Sequence, residues 1–310
     1  MERSLHSIVR ALPDDEVDVA VNRVVDGPWS LLPEDAHRLS IWRCYQAPEH
    51  RRLRRLAIAT AGNPVRRLLS AHYDLHIAMR WGPDMTRSTK ARHRTLIPGG
   101  NPVGDLEERY DTIALEAPDN RSFLGGSVRA AVVAPPLWPL SNHAEVPGNL
   151  PDRYFLTVFN PYGTVKGTDD LEAIIDSLPL PIVWCHSARS ISSDIPEYLA
   201  KHPNLIHVED PSVHQLRYLY EECYAYLSFS RSEGFGWSIA DALRYSRRVV
   251  SRPVGVLSFP AAHQAGVHLL RDGWSDDLAF LEEIEPCMGL RDLSWLDPAG
   301  FRARLLELVG

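Results

Sequence analysis

Short apolar runs alternate with amphipathic segments along the second half of the chain. The strand-length apolar runs lie at 153–160, 181–186, 205–210, 225–230 and 247–254. Between them, apolar residues at helical spacing mark 169–178, 196–202, 213–223 and 236–246. Strands that alternate with helices are typical of parallel α/β units. We therefore predict a doubly wound, Rossmann-like domain whose ligands lie beyond the carboxyl ends of the strands.

The first half of the chain is less regular. Its apolar runs predict strands at 16–22, 74–81, 94–99, 111–117 and 130–135, and its amphipathic segments predict helices at 4–12 and 49–60. We interpret this half as a second α/β domain. The chain starts almost directly in a helix-like segment, where an opening strand is usual, which leaves open that this domain is abbreviated.

A proline-rich stretch separates the two halves. Residues 134–153 include five prolines, which break helices and cannot donate to a sheet ladder. We accordingly expect an N-terminal domain at 1–148 and a C-terminal domain at 149–310. Within the latter, Asp169 and Glu172 have the spacing of a capping box, so Asp169 is predicted to cap the helix that follows.

The composition is that of an ordinary soluble protein. The 310 residues are 45% hydrophobic and 24% charged. No apolar run approaches the roughly 20 residues that span a bilayer, and the N-terminus lacks the apolar core of a signal peptide. The four cysteines are scattered without a CxxC pair, which indicates reduced thiols and argues against a zinc site or a disulfide framework. We expect a cytoplasmic protein with no integral membrane association.

Charge is distributed unevenly along the chain. The net charge is −7, yet residues 43–94 contain 12 Lys/Arg and 3 Asp/Glu. This excess is explained either by a solvated arginine face on helices or by attraction for an anionic partner. Nucleic-acid binding through 86–94 is one form of the second explanation. The acidic overall charge and the lack of a nucleic-acid motif argue against it as the main function, but an anionic acceptor stays open.

Two carboxylates flank a glycine-containing turn in the stretch SEGFGWSIAD. Glu233 precedes the turn, and Asp241 follows it in the helix after seven intervening residues. The N–H groups and positive dipole end of a helix start favour a phosphate, and Gly234 and Gly236 let a ligand approach the backbone. Carboxylates accept hydrogen bonds from the paired hydroxyls of a ribose or hexose. An ordinary strand-to-helix turn and a nucleotide-sugar site both fit this pattern.

The surrounding sequence resembles the C-terminal half of family 4 retaining glycosyltransferases of the GT-B fold. The shared features are an L-x-x-L-Y helix, a strand ending in serine, E-G-F-G with an E-x7-E pair (here E-x7-D), and a K-G helix start within YFLTVFNPYGTVKGTDDLEAI. The likeness is good over 154–260 and loose over 75–138. It implies two Rossmann-like doubly wound domains that face a cleft.

The resemblance also implies residue roles in a donor site. Glu233 contacts the donor sugar, Asp241 binds the ribose, and Lys166 neutralises the departing diphosphate. For Lys166 there is independent physical support, because stabilising charge on a leaving group is usually the largest catalytic contribution. Arg80 is the preferred pocket residue of the N-terminal domain, where His76 or His93 are further candidates. The remaining donor-binding candidates are Asn160 and the backbone amides of Gly234, Phe235, Gly236 and Trp237.

The family pattern is incomplete in this chain. G-R-x-x-x-x-K lacks its arginine, since Asn160, Pro161 and Tyr162 occupy that region, and Arg231 or the loop around Arg80 are candidate substitutes. The expected function is transfer of a sugar from a nucleotide-diphosphate donor to a hydroxyl acceptor with retention, without a metal or other cofactor. The alternatives are a non-catalytic binding or partner subunit and transfer onto an anionic or nucleic-acid acceptor. Donor base, sugar and oligomeric state stay open.

Overall fold

The chain forms two compact α/β units. A computed structural model describes residues 7–12, 17–21, 39–43, 72–79, 90–100, 102–126, 128–161, 163–187, 195–271, 273–276 and 278–308. The first unit comprises Met1–Pro136 together with Leu296–Gly310, and the second comprises Leu137–Trp295. All strand pairs in the described residues are parallel.

The first unit contains a strand pair and a four-stranded sheet among its described residues. The pair is β1 (Val17–Val21) with β2 (Leu39–Arg43), and the sheet has the order β3 (His72–Met79), β4 (Lys90–Ile97), β5 (Thr112–Leu115), β6 (Ala130–Val132). Every residue of β5 is buried, as expected for an inner parallel strand covered on both faces. One core cluster of this unit joins Ile8, Ala114 and Phe301, so the helical residues 7–10 and the C-terminal helix pack in the same core.

The predicted strands of this unit all occur in the structure, with shifted bounds. The strand predicted at 94–99 begins earlier, at Lys90, because Lys90 and Arg92 are exposed and hide the strand from an apolar pattern. The strand β2 was not predicted, and the predicted helix at 49–60 lies outside the described residues.

The second unit is built on a six-stranded parallel sheet. Its strands in chain order are β7 (Phe155–Val158), β8 (Ile182–His186), β9 (Leu205–Glu209), β10 (Ala225–Ser228), β11 (Val249–Ser251) and β12 (Val267–Leu269). Their spatial order is β12-β11-β10-β7-β8-β9. The chain runs outward from β7 in one direction and from β10 in the other. The strand order therefore reverses between β7 and β10, which is where ligands bind in open α/β sheets.

Helices connect these strands and complete the fold. Besides the helical residues 7–10, the α-helices of the described residues are α1 (Thr168–Ile174), α2 (Glu197–Ala200), α3 (Val213–Glu222), α4 (Trp237–Tyr245), α5 (Phe280–Glu283) and α6 (Pro298–Glu307). The five strands and four helices predicted for 153–254 correspond to β7–β11 and α1–α4. The edge strand β12 was not predicted, because three partly exposed residues around a histidine give too short a signal.

The two compact units differ from the predicted division at 148. The segment 137–150 belongs to the second unit because its backbone is bound there: Arg217 donates to the Ser141 carbonyl, and the Leu140 amide donates to the Tyr245 hydroxyl. The C-terminal helix belongs to the first unit because Phe301 and Leu305 are buried in that unit's core. The first unit therefore combines residues from both ends of the chain, with its internal boundary after Pro136.

Candidate functional site

Two loops meet at the carboxyl ends of β7 and β10, beside the reversal of strand order. Gly167 ends the first loop with φ +73°, and a Cβ on it would lie 2.5 Å from both the Cβ and the carbonyl oxygen of Phe229. The Arg231 amide donates to the Val165 carbonyl over 2.8 Å. Only glycine fits between the loops at position 167. The contact brings the K-G segment against the chain that leads into E-G-F-G.

Lys166 and Glu233 form an ion pair across this junction. Lys166 Nζ donates to Glu233 Oε1 at 2.6 Å, and the two side chains are 24% and 13% exposed. Lys166 lies in the short 3-10 helix Gly163–Lys166, and Glu233 lies in the turn that leads to α4. The pair is thus partly shielded from water yet accessible to a ligand at the carboxyl ends of the strands. Lys166 and Glu233 were predicted to lie in one site, and the structure brings their side chains together.

A third loop, which follows β11, packs against the E-G-F-G turn. Gly255, in the loop after β11, has φ +56°, and a Cβ on it would come within 2.6 Å of the Phe235 carbonyl oxygen and 2.9 Å of the Glu233 Cβ. The Val256 amide donates to the Phe235 carbonyl at 2.7 Å. The backbone around Glu233 is therefore held by close packing on Gly255. The importance of position 255 was not predicted, because a single glycine after a strand is a weak local signal.

The E-G-F-G turn fixes the backbone conformation at the start of α4. Gly236 precedes the helix at φ +79°, a left-handed conformation that favours glycine. It carries no capping side chain, so the first-turn N–H groups of a nine-residue helix face the turn. Phe235 is buried, and its ring contacts that of Trp237 at 4.9 Å between centroids. This arrangement provides backbone donors and a positive dipole end at the place assigned to the diphosphate.

Asp241 lies in the second turn of α4 and is only 2% exposed. Burial raises the pKa of the nearby phenols of Tyr226 and Tyr245, and the negative charge of Asp241 adds to both increases. The Asp241 carboxylate is therefore buried by packing in this structure. It can contact a ribose, as predicted, only if it becomes accessible to the donor.

Asn160 connects the loop after β7 to the end of β8. Its side-chain oxygen accepts a hydrogen bond from the Ser187 amide at 2.8 Å. The Trp184 indole donates to the neighbouring Phe159 carbonyl at 2.9 Å. The position predicted to bind the donor thus has a well-defined structural role in shaping this loop.

Arg231, a candidate substitute for the missing family arginine, is held by two carboxylates. Its guanidinium donates to both carboxylate oxygens of Asp169 at 2.8 and 2.9 Å and to Asp170 at 2.8 Å. The prediction that Asp169 caps the helix is wrong, because Gly167 occupies the N-cap position and Asp169 lies in the first turn. The hydrogen bond from Arg231 holds the pKa of Asp169 below its ordinary value.

The N-terminal candidates are only partly described. Arg80 lies outside the described residues. His93 is buried within β4, where its ring shares a 3.1 Å hydrogen bond with the Thr112 hydroxyl, and His76 lies in the interior of β3. Because ligands bind beyond the carboxyl ends of parallel strands, His93 is better explained as a core residue.

The described ranges contain neither a metal-binding cluster nor a membrane-spanning helix. No group of three or more His, Cys, Asp or Glu residues there is arranged to hold a metal ion. No helix in that part of the chain is long and apolar enough to cross a membrane.

Comparisons with known proteins find likeness at the level of structure. The sequence matches no protein-family model and no curated protein. The lipopolysaccharide outer core galactosyltransferase WaaB aligns over 99% of this chain and 93% of its own, with 14% identity and a TM-score of 0.63. AviGT4, a glycosyltransferase involved in avilamycin A biosynthesis, aligns over 99% and 87%, with 15% identity and a TM-score of 0.62.

A further similar structure is Anabaena HepE, solved in complex with UDP and glucose. It aligns over 99% of this chain and 90% of its own, with 13% identity and a TM-score of 0.62. At identities this low, the structural alignments are evidence for the fold alone. Together with the parallel sheets of the two units, these alignments show that this chain has the α/β fold of the GT-B glycosyltransferases.

Proposed function

We propose that the protein is a glycosyltransferase that moves a sugar from a nucleotide-diphosphate donor to a hydroxyl acceptor. The observation that carries this proposal is the Lys166–Glu233 ion pair beside the E-G-F-G turn, at the reversal of strand order. One cation, one carboxylate and the N-terminus of α4 converge there. These groups suit a diphosphate next to a sugar. The presence of UDP and glucose in the HepE structure supports the same class of donor.

Each group of the site has a distinct task in this proposal. Lys166 turns from Glu233 to the diphosphate and neutralises the negative charge that grows as the phosphate leaves. Glu233, relieved of its partner, accepts hydrogen bonds from sugar hydroxyls. The amides of the turn and of the first residues of α4 hold the phosphate oxygens. Asp241 binds the ribose once it is accessible.

We propose retention because the sequence resembles that of family 4 retaining enzymes. The bond between the sugar C1 and the phosphate oxygen breaks, and a bond from the acceptor oxygen to C1 forms on the same face. The acceptor proton passes to an oxygen of the departing diphosphate. The step therefore needs no protein nucleophile, and we propose that it proceeds without a metal or another cofactor.

The acceptor and the compartment are part of the proposal. The excess of 12 Lys/Arg over 3 Asp/Glu in residues 43–94 favours an anionic acceptor. We also propose a cytoplasmic location; the described cysteines Cys185, Cys223 and Cys287 are free thiols, which is compatible with a reducing compartment.

The direct test is donor hydrolysis and transfer with UDP-glucose, GDP-mannose, ADP-glucose and dTDP-glucose. We expect the wild-type protein to release the nucleoside diphosphate from one of these donors, and proton NMR to show that a transferred sugar keeps its anomeric configuration. Binding without release of diphosphate, even when hydroxyl acceptors are supplied, favours a non-catalytic binding subunit. If none of these donors, nor the nucleoside diphosphates alone, is bound or cleaved, the proposed function is contradicted.

A further inference from the structure

We propose that Arg231 is a positioning residue for Lys166, holding the lysine's loop through Asp169 and Asp170 without contacting the donor. This inference rests on the proposed function, because Lys166 matters only if the site binds a diphosphate. It assigns to Arg231 a task different from that of the missing family arginine.

Arg231 contacts the chain on both sides of Lys166. Its backbone amide donates to the carbonyl of Val165, the residue immediately before the lysine, at 2.8 Å. Its guanidinium binds both carboxylate oxygens of Asp169, three residues after the lysine, at 2.8 and 2.9 Å. A bidentate arginine–carboxylate pair fixes orientation as well as distance. The segment that carries Lys166 is thus held at both ends by one residue.

A second arginine completes this network from the loop after β11. Arg252 Nη1 lies 3.1 Å from the Asp170 carboxylate, which also accepts from Arg231, and Arg252 also donates to the Phe229 carbonyl. Two arginines and two aspartates balance to zero net charge. The network therefore connects the three loops of the site while adding no net charge beside Lys166 and Glu233.

The charge of Arg231 is consequently satisfied within the protein. A donor diphosphate would have to compete with two carboxylates for this guanidinium, whereas at Lys166 it competes with one. This comparison favours Lys166 as the phosphate ligand and Arg231 as its support.

The network stabilises the fold as well as the position of the lysine. The Arg231 and Asp169 side chains are 37% and 52% exposed, but their pair is bidentate and is joined to Asp170 and Arg252, which are 18% and 22% exposed, and bidentate pairs within a network are the surface ion pairs that contribute to stability. Their placement around one lysine suits control of position, where an error of about 1 Å can cost roughly 100-fold in rate.

A double-mutant cycle tests the proposal, with donor cleavage measured on whichever of UDP-glucose, GDP-mannose, ADP-glucose or dTDP-glucose the wild type cleaves fastest. We expect Arg231→Met to lower kcat/KM by about 10-fold or more, because Lys166 is misplaced. In a Lys166→Met background the same change should have little further effect, since residues that act as one unit are not additive. Losses that multiply would mean that Arg231 acts independently of Lys166, which overturns the proposal.

Two controls keep the outcome interpretable. Lys201→Met removes an exposed ion pair with Glu197 on α2, outside the Arg231 network, and should leave kcat/KM near the wild-type value. Arg231→Lys keeps a cation beside Asp169 and Asp170 and should retain part of the activity that Arg231→Met loses. If Arg231→Lys loses as much activity as Arg231→Met, although its thermal unfolding matches that of wild type, the proposal is contradicted. If the wild-type protein itself cleaves no donor, the proposed function is contradicted. That outcome is distinct from a wild type that cleaves the donor while Arg231 acts independently of Lys166.

Discussion

Lys166 and Glu233 are 67 positions apart in the sequence, and their side chains form a salt bridge of 2.6 Å at the sheet edge of the second unit. Charge-assisted hydrogen bonds of this length are strong, so a ligand must offer Lys166 a better partner than Glu233. A diphosphate, with more negative charge, does so. The same exchange leaves the Glu233 carboxylate available for sugar hydroxyls.

Replacing Lys166 by Met should slow donor cleavage by about 100-fold or more, in line with the loss of a group that stabilises transition-state charge. The reason is that the leaving diphosphate loses its cation while the α4 amides remain. Steady-state kinetics of diphosphate release measure the effect. Lys201→Met, which removes an exposed pair with Glu197 on α2, is the control and should keep wild-type rates. A Lys166→Met protein with full activity would contradict the role of Lys166.

Gly255→Ala should destabilise the second unit by about 1–3 kcal/mol, since it combines a left-handed backbone with overpacking. The added methyl would lie 2.6 Å from the Phe235 carbonyl oxygen. Urea unfolding followed by fluorescence measures the free energy of unfolding. The matched control is Gly289→Ala, because a Cβ there meets nothing within 4 Å. Equal stability of the two variants would show that the packing around Glu233 tolerates movement.

Stability should fall on mild acidification, in part because of His186. Burial lowers the pKa of His186, and the neighbouring His207 lowers it further, against smaller opposing contributions from Glu209 and Asp210. As pH falls below about 6.5, the histidine of the unfolded chain takes up a proton before the folded one does, which favours unfolding. The stabilising contribution is therefore present above that pH and lost below it.

His186→Gln tests this dependence. We expect the variant to lose less stability than wild type between about pH 7.5 and pH 5.5, the range in which an unperturbed histidine titrates. The lowered pKa of Asp169 does not interfere, because its stabilising contribution is lost only at pH below the ordinary value of about 3.9. Urea unfolding at the two pH values supplies the comparison. Parallel loss in variant and wild type would assign the acid sensitivity to other groups.

Asp241→Asn should abolish most of the thermal shift that a nucleotide sugar produces. The amide keeps the shape of the buried side chain but loses the negative charge that favours paired ribose hydroxyls. Differential scanning fluorimetry with UDP-, GDP-, ADP- and dTDP-sugars measures the shift, each variant against its own unliganded melting temperature. A shift equal to that of wild type would remove Asp241 from the ribose site.

Much of the fold was predictable from sequence because the inner strands of the second unit are buried runs. Strands β7, β8 and β10 are continuously apolar or nearly so, and each is followed by a segment with helical spacing. The edge strand β12 and the position of α6 were not predicted. A short edge strand contains too few residues to show an apolar pattern. The core against which an amphipathic helix packs is decided by tertiary structure and cannot be deduced from the local sequence.

Within the site, E-G-F-G and K-G were readable because glycine, a carboxylate and a lysine occur together with a recognisable spacing. The pairing of Arg231 with Asp169 could not be predicted from sequence, since the two residues are 62 positions apart and either could equally face solvent. The same holds for Gly255, whose role depends on a carbonyl of another loop. Long-range contacts of single residues leave no periodic trace in sequence.

The most direct test is a calorimetric comparison of two ligands on three proteins. A nucleoside diphosphate and the corresponding nucleotide sugar would be titrated into wild type, Lys166→Met and Glu233→Gln. We predict that Lys166→Met weakens binding of both ligands, whereas Glu233→Gln weakens only the nucleotide sugar and leaves the diphosphate bound as tightly or more tightly, because it removes a competitor for Lys166. Equal losses for both ligands in both variants, or no loss in either, would contradict the assignment of Lys166 to the diphosphate and Glu233 to the sugar.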